Sequence, residues 1–408
     1  MAGQVHWLHA FCFVFLCVLT SMLGIFVVYL PALPLLAVSN KLFDNWNEMM
    51  MGTWFHMVAV RSNCGPNMIR ATYRLFCIGR DDLVTVSYRV SLVSCCICLF
   101  LVLELVYRMK VVVTGDRIPW NEGCVIVMNH RTQMDWVLLW NLLARFGDIR
   151  CCKIILKNSL KQIPGAGWAM QQAMFLFLSR KWESDSRHFN SVLNYFIETD
   201  KPVQILLFPE GTDFCEETKV SSDKFAKQRD LPTYHYVLHP RTRGFFELVK
   251  TLRYGNIKSV VDLTVGYPVN IPSGFRSFVI GNFPEQAHFN IKRYLIEDFP
   301  KDDESLQEWC RQRWSEKEDI LRVFYDRGQF DQPQVKFVRS ETQMLRKMLF
   351  CLILWVAIVV GSLFLLYVSS WWRWVCILGS AIYVGFTVFG GVEKTIIDAH
   401  NRRHSSSA

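Results

Sequence analysis

The stretch NHRTQMDW, residues 129–136, places a histidine five positions before an aspartate. It follows the apolar run CVIVM, residues 124–128, which is typical of a buried strand, and it precedes a segment with helical spacing of apolar residues. With about 3.6 residues per turn, that helix brings Asp135 back beneath the ring of His130. A carboxylate bonded to one ring nitrogen leaves the other nitrogen free to accept a proton. The pattern predicts a general base with its orienting carboxylate. A polar pair with a purely structural role at the start of a helix has the same spacing.

Around this stretch, residues 109–330 alternate between strand-like apolar runs and segments with helical spacing. The apolar runs are residues 110–113, 125–128, 174–178, 203–208 and 260–265. Helical spacing occurs at residues 136–146, 186–198 and 304–325, the last being a closing amphipathic helix. Because such alternation is typical of βαβ units, we predict an α/β domain with a mainly parallel sheet.

The composition of the whole chain favours a membrane protein that acts on lipid. The chain has 408 residues, of which 51% are hydrophobic, and its formal net charge is +9. A basic surface suits anionic lipid headgroups or nucleic acid equally well. Since the chain has no long run of Lys and Arg and no nucleic-acid-binding motif, we predict the lipid bilayer and lipid substrates as partners and no nucleic acid.

The N-terminal region is predicted to contact the membrane. Residues 11–30 are long and apolar enough for a transmembrane helix, which needs about 20 such residues. Pro31 and Pro34 are then expected to end that helix, because proline removes a backbone donor. Residues 90–106 form a shorter apolar stretch, which suits either a second crossing or a helix that lies in the membrane interface.

Two uncharged stretches near the C terminus, residues 348–372 and 374–392, predict a transmembrane hairpin. Arg108 precedes the α/β segment and Lys347 follows it, and such basic flanks predict a domain that faces the cytosol. The predicted parts are an N-terminal membrane region (1–108), the α/β domain (109–330), a basic linker (331–347), the hairpin (348–392) and a tail (393–408).

A second motif, FPEGT at residues 208–212, directly follows a strand-like run. Glycine permits positive φ, so consecutive amides at such a turn can point towards an anion. NHxxxxD followed by FPEGT resembles the glycerolipid acyltransferases of the 1-acylglycerol-3-phosphate acyltransferase family. With KNSLKQIPGAGWAMQ at residues 157–171 and LHPRTRGF at residues 238–245, the resemblance is closest to the lysocardiolipin and lysophosphatidylinositol acyltransferase branch.

The resemblance implies roles for residues beyond His130 and Asp135. The acceptor's phosphate would be held by an arginine after an apolar strand and by the FPEGT turn, which in this chain are Arg180, Glu210, Gly211 and Thr212. Lys157 occupies the position of a lysine that stabilises the oxyanion, and Arg241 is a further candidate for a substrate contact.

The resemblance also implies acyl transfer from acyl-CoA to the free glycerol hydroxyl of a lysophospholipid without an acyl-enzyme. His130 would take the proton from that hydroxyl, and Asp135 would orient the imidazole. No cofactor or metal is expected, because a thioester is already activated and the sequence has neither HExxH nor cysteine and histidine at zinc spacing. The expected location is the endoplasmic reticulum membrane, including its contacts with mitochondria.

Asp213 departs from the family pattern, since many members that accept lysophosphatidic acid have arginine after FPEGT. A carboxylate beside a phosphomonoester dianion is unfavourable, so a phosphodiester acceptor such as lysophosphatidylinositol or monolysocardiolipin is favoured over lysophosphatidic acid. Two other classes are weighed against this interpretation. A lipid hydrolase is disfavoured by the absence of a G-x-S-x-G nucleophile motif, and an inactive lipid-binding protein by the intact His130 and Asp135.

Overall fold

The computed structural model describes residues 19–59, 110–120, 122–146, 149–179, 181–200, 202–271, 284–335 and 341–405. The predicted membrane helix at residues 90–106 lies outside these ranges, as do residues 11–18 of the predicted first helix.

A seven-stranded sheet with the order β1-β7-β6-β2-β5-β3-β4 forms the centre of the molecule. Its strands are β1 Lys110–Gly115, β2 Gly123–Met128, β3 Cys152–Lys157, β4 Leu176–Leu178, β5 Gln204–Leu207, β6 Ile257–Gly266 and β7 Gln286–Leu295. Five of the six pairings are parallel, and the pairing of β6 with β7 is antiparallel. The predicted α/β fold with a mainly parallel sheet is therefore confirmed.

The helices lie around this sheet and beyond it. In chain order they are α1 Leu19–Val38, α2 Asn40–Ala59, α3 Asp135–Phe146, α4 Ala166–Gln172, α5 Trp182–Glu198, α6 Glu216–Gln228, α7 Thr242–Leu252, α8 Asp303–Arg327, α9 Glu341–Val368, α10 Ser370–Val388 and α11 Val392–Ser405.

Strand β2 lies at the middle of the sheet, and all six of its residues are buried. It pairs in parallel with β5 on one side and with β6 on the other. Carboxyl ends of neighbouring parallel strands meet at one edge of a sheet, where α/β proteins commonly bind ligands. The segments that follow β2, β5 and β6 therefore converge, and they contain His130, the FPEGT turn and Tyr267.

Strand β7 is absent from the sequence prediction because buried polar residues interrupt its apolar pattern. His288 and Asn290 lie within the strand and are buried, at 4% and 7% exposure. Strand β3 is also absent from the sequence prediction, because its short apolar run has a lysine at each end, Lys153 and Lys157.

Helix α1 continues past Pro31 and Pro34, so the prediction that these prolines end it is wrong. A π-helical turn at Ile25–Tyr29 and a 3-10 turn at Leu30–Ala32 precede the α-helical segment Leu33–Val38. Each proline occupies one of the first two positions of a new helical segment. A missing backbone N–H is tolerated there, because it would have no partner within the helix.

Among the described residues, two helices are long and apolar enough to cross a membrane, Leu19–Val38 and Ser370–Val388. The apolar part of α9, Ile353–Val368, is shorter. Helix α9 packs against α2 and α10 and begins inside the segment predicted as a linker. Trp355 of α9 is buried, and its Nε1 donates to Thr53 Oγ1 at 3.1 Å. The ring of Trp355 also lies against Gly24 of α1, so the N-terminal and C-terminal apolar helices pack together.

Most of the segment predicted as a tail forms α11, which packs on the α/β domain. The turn before it, Gly390–Gly391, has φ of +110° and +104°, where glycine is favoured. Glu393 is fully buried at the start of α11 and pairs with Lys161 Nζ, which also donates to the Gly390 carbonyl at 2.6 Å. Farther along, His400 Nε2 lies 2.8 Å from Glu198 Oε2 on α5.

Replacing Lys161 is expected to destabilise the fold. Lys161→Met leaves Glu393 buried without its ammonium partner, which typically lowers the free energy of unfolding by about 3–5 kcal/mol. Burial raises the pKa of the Glu393 carboxyl and Lys161 opposes that rise, so the loss should be greater at alkaline than at acidic pH. Thermal unfolding of the detergent-solubilised protein measures the effect. Lys394→Met, at an exposed position on the same helix as Glu393, is the control. An equal midpoint of thermal unfolding in the two variants would contradict the stabilising role of the Lys161–Glu393 pair.

Candidate active site

His130 and Asp135 form a hydrogen-bonded pair at the carboxyl end of β2. Nδ1 of His130 lies 3.0 Å from Oδ2 of Asp135, and the two side chains are 16% and 0% exposed. Asp135 is the first residue of α3, so one turn of chain brings it beneath the imidazole. The sequence prediction that these two residues pair matches this geometry.

The carboxylate of Asp135 is held by two further donors. The backbone N–H of Thr132 donates to Oδ2 at 3.0 Å, and the hydroxyl of Tyr267 donates to Oδ1 at 2.5 Å. A carboxylate fixed in this way accepts from Nδ1–H and so leaves Nε2 of His130 as the proton acceptor. The arrangement provides a general base with a defined tautomer.

The backbone around His130 is fixed by both flanking strands. The side chain of Asn129 donates to the carbonyl of Val265 at 3.1 Å and accepts from its N–H at 2.8 Å. The carbonyl of His130 accepts from the N–H of Phe214 at 2.8 Å. The imidazole ring of His130 stacks on the ring of Phe208 with 4.1 Å between centroids. The NHxxxxD and FPEGT motifs are therefore in direct contact.

The FPEGT turn is shaped by Gly211, whose φ of +74° lies in the region that favours glycine. Its N–H donates to the carbonyl of Phe208 at 3.0 Å. The backbone N–H of Arg241 donates to the carbonyl of Pro209 at 2.7 Å, and a Cβ on Gly211 would lie 3.3 Å from Arg241 Cδ. The structure thus brings the exposed Arg241 against the turn, as a substrate contact there would require.

Glu210 points inward rather than towards solvent. It is 3% exposed, and its Oε1 accepts from the backbone N–H of His130 at 3.3 Å and from Nε1 of Trp314 at 3.1 Å. Burial raises its pKa to about 7, against the lowering effect of the Trp314 hydrogen bond and of His130. These contacts make Glu210 a positioning residue for His130. A phosphate contact by the turn would then depend on Gly211 and Thr212, which are half-buried.

Of the two remaining predicted residues, Lys157 is not brought to His130. Lys157 ends β3, which is separated from β2 by β5, and its side chain is exposed. No hydrogen bond among the described residues connects Lys157 to His130. Arg180 lies outside the described residues, so its role stays a prediction. Within the described ranges, no group of three or more His, Cys, Asp and Glu side chains is placed to hold a metal ion.

Known proteins match most of this architecture. Residues 110–269 match the acyltransferase family, and residues 277–351 match the acyltransferase C-terminus. Lysocardiolipin acyltransferase 1 of Gallus gallus is 46% identical over 304 residues, which are 73% of this chain and 80% of the relative. This chain belongs to the glycerolipid acyltransferase family. Lysophosphatidylinositol acyltransferase 10 of Caenorhabditis elegans is 40% identical over 231 residues, or 56% of this chain and 59% of that protein.

The similarity to a solved structure is weaker. The crystal structure of the 1-acyl-sn-glycerophosphate acyltransferase of Thermotoga maritima covers 71% of this chain and 97% of its own, with 16% identity and a TM-score of 0.34. The curated relatives confirm the family and the branch that the motifs resemble, and they make this chain an acyltransferase. Together with its two apolar helices, this membership associates the acyltransferase with membranes.

Two side-chain bonds of the acyltransferase site are not predictable from the sequence. Tyr267 lies in VGYP, residues 265–268, which resembles a family segment that shapes the substrate site, but its bond to Asp135 gives no signal in the sequence. Trp314 lies on α8, 104 positions from the Glu210 it contacts, and an amphipathic helix gives no signal for such a bond. Both contacts arise from tertiary packing.

The pH dependence of the acyltransferase should reflect the surroundings of His130. Burial lowers the pKa of His130, but the hydrogen bond and charge of Asp135, with the charges of Glu210 and Asp213, raise it above its usual 6.5. A general base must be neutral, so kcat/KM should fall as the pH drops through this raised pKa. Glu210→Gln removes one of the charges and should move the midpoint to lower pH.

The measurement is kcat/KM against pH for the wild type and Glu210→Gln. Glu308→Gln is the control, since Glu308 is an exposed side chain on α8 that pairs with Arg311. An acid limb at the same pH in the wild type and Glu210→Gln would contradict the electrostatic coupling of Glu210 to His130.

Proposed function

We propose that this acyltransferase moves a fatty acyl group from acyl-CoA to the free glycerol hydroxyl of a lysophospholipid, with lysophosphatidylinositol or monolysocardiolipin as the favoured acceptor. The observation that carries this proposal is the His130–Asp135 pair at the carboxyl edge of the sheet, in which Nε2 of His130 has no hydrogen bond from the described residues. Curated relatives that are named for lysocardiolipin and lysophosphatidylinositol support the choice of acceptor.

In the proposed reaction, Nε2 of His130 takes the proton of the acceptor hydroxyl as its oxygen attacks the thioester carbonyl. An ester C–O bond forms and the C–S bond breaks. The coenzyme A sulfur leaves as the thiol, and the proton returned by His130 completes it. Asp135 stabilises the imidazolium that exists between these two proton transfers.

A base positioned in this way contributes about 10²- to 10⁴-fold in rate, so other groups must supply the rest. Alignment of the hydroxyl with the thioester and stabilisation of the oxyanion are the established means. Lys157 and the amides of the FPEGT turn are the proposed oxyanion and phosphate contacts, together with Arg180 and Arg241. Acyl-CoA serves as co-substrate, and no other cofactor is proposed.

The proposed acceptor preference rests on Asp213. This half-buried residue follows the FPEGT turn, and its charge is close enough to raise the pKa of His130. A phosphomonoester carries one more negative charge near neutral pH than a phosphodiester, and like charges repel. Asp213 therefore disfavours lysophosphatidic acid, whose acylation is the alternative function.

The proposed location is the endoplasmic reticulum membrane, including contacts with mitochondria, with several membrane crossings and the catalytic domain facing the cytosol. The basic flanks of the domain support this orientation. Protease treatment of intact microsomes should cleave loops of the catalytic domain, and full protection would contradict a cytosolic face.

The acceptor preference is tested with the purified full chain, labelled oleoyl-CoA and three acceptors at equal surface concentration. Lysophosphatidylinositol and monolysocardiolipin should exceed lysophosphatidic acid in kcat/KM by roughly tenfold. Asp213→Arg should narrow that difference, and Asp230→Arg, at an exposed site after α6, is the matched control. Turnover of lysophosphatidic acid well above that of both phosphodiesters would overturn the proposed preference.

A further inference from the structure

Arg131, the residue after His130, has two donors without partners. Its side chain is half-buried, with the guanidinium carbon 4.3 Å from the ring centroid of Phe214 and 6.0 Å from that of Tyr325. Nε and Nη1 of Arg131 are buried and have no hydrogen-bond partner among the described residues. Buried donors that stay unpaired are unfavourable, and a guanidinium is always charged.

The carboxylate closest to Arg131 in sequence does not neutralise it. Both oxygens of Asp135 accept hydrogen bonds from other groups, the ring of His130, the N–H of Thr132 and the hydroxyl of Tyr267. In the part of the chain that the structure describes, Arg131 forms no ion pair. Among the described residues, no carboxylate therefore lies within ion-pair distance of this fixed positive charge beside the general base.

Tyr325 lies at the same place, and its hydroxyl is buried. Burial raises the pKa of Tyr325, and the charge of Arg131, together with hydrogen bonds from the Tyr267 backbone and the Arg131 side chain, opposes that rise. Three segments meet here, namely the loop after β2, the residues after FPEGT and helix α8.

We propose that Arg131 and Tyr325 form an anion subsite that binds a phosphate group of a substrate next to His130. The proposal rests on the proposed function and adds to it a site for the charged part of the substrate. The planar guanidinium fork offers charge-assisted hydrogen bonds to phosphate oxygens, and the tyrosine hydroxyl can donate another. Stacking on Phe214 holds the fork in place before the ligand arrives.

The phosphate has two possible sources in this reaction, the headgroup of the lysophospholipid and the coenzyme A part of the donor. Both offer the same oxyanion chemistry. They are distinguished by measuring KM for lysophosphatidylinositol at saturating oleoyl-CoA and KM for oleoyl-CoA at saturating lysophosphatidylinositol, with the full chain in mixed micelles.

Four variants make the test specific. Arg131→Gln removes the charge, Arg131→Lys keeps the charge without the fork, and Tyr325→Phe removes only the hydroxyl. Arg229→Gln is the matched control, because Arg229 also stacks on a phenylalanine, Phe225 at 4.7 Å, but lies at the end of α6. Its KM values should stay within about twofold of the wild type, as is usual for surface substitutions.

Arg131→Gln should raise the KM of one substrate by roughly 10- to 100-fold, the usual effect of losing a charge-assisted hydrogen bond. Arg131→Lys should lie between it and the wild type, and Tyr325→Phe should raise the same KM by roughly three- to tenfold. A rise in the KM for lysophosphatidylinositol assigns the subsite to the headgroup, and a rise in the KM for oleoyl-CoA assigns it to coenzyme A. High salt should raise the wild-type KM of that substrate more than that of Arg131→Gln.

The subsite is overturned if both KM values of Arg131→Gln and of Tyr325→Phe stay within about twofold of the wild type, or if kcat alone falls and equally in Arg131→Lys. Tyr325→Phe carries the test if Arg131→Gln does not fold. Wild-type turnover in the same assay separates failure of the subsite from failure of the proposed function. An inactive wild type overturns the proposed function and the subsite with it, whereas an active wild type with unmoved KM values overturns the subsite alone.

Discussion

His130→Ala is expected to lower kcat by about 10²- to 10⁴-fold, with little change in the KM of either substrate. The reason is that Nε2 of His130 is the proposed proton acceptor, whereas binding depends on other groups. The side chain of His130 bonds to Asp135 and stacks on Phe208, so its removal loses these two contacts as well as the proton acceptor. Steady-state rates with labelled oleoyl-CoA and lysophosphatidylinositol measure the effect.

The control for this variant is His235→Ala, since His235 is exposed and lies outside the two motifs. It should retain wild-type kcat. Full acyl-CoA-dependent activity in His130→Ala would overturn the assignment of the base. An unfolded His130→Ala protein would be recognised from its thermal unfolding, and His130→Gln, which nearly keeps the side-chain volume, should then show the same loss.

Asp135→Asn is expected to lower kcat by about 10²- to 10⁴-fold as well. An asparagine amide can donate to Nδ1 of His130, which leaves the proton on Nε2 and so blocks the position that must accept one. The substitution also removes the charge that raises the pKa of His130. The acid limb of kcat/KM should therefore move to lower pH in whatever activity remains.

Tyr267→Phe is the graded comparison for Asp135→Asn. It removes one of the three hydrogen bonds to the carboxylate but keeps the carboxylate itself. Its kcat should fall by roughly three- to tenfold, in line with one lost hydrogen bond. A rate in Asp135→Asn equal to that in Tyr267→Phe would mean that the Asp135 charge does not orient His130.

The sequence reveals those parts of the site that depend on local geometry. His130 and Asp135 are five residues apart at a strand-to-helix junction, so their meeting follows from the helix itself. The FPEGT turn lies beside His130 because both follow neighbouring parallel strands. Other contacts join segments that are distant in sequence, so local spacing does not predict them. They are the bonds of Tyr267 and Trp314 and the approach of Tyr325 to Arg131.

The same distinction holds for the fold. Strands β2 and β5 are predictable because each contains a continuous apolar run, as expected for strands buried on both faces, whereas Asp262 and Thr264 interrupt the run in β6. Packing decided the rest. Helix α1 passes its prolines by changing its helical geometry, and α11 is fixed by the burial of Glu393 against Lys161. Both features depend on packing partners that cannot be identified from the local sequence.

Rapid mixing of the purified wild type with labelled acyl-CoA tests direct transfer to the lipid most plainly. The reaction is quenched at intervals, with and without lysophosphatidylinositol, and free coenzyme A, labelled phospholipid and labelled protein are quantified. If His130 activates the acceptor hydroxyl, coenzyme A release requires the acceptor and equals phospholipid formation one to one, and no label stays on the protein. Release of coenzyme A without acceptor, with the acyl group on the protein or as free fatty acid, would contradict this mechanism.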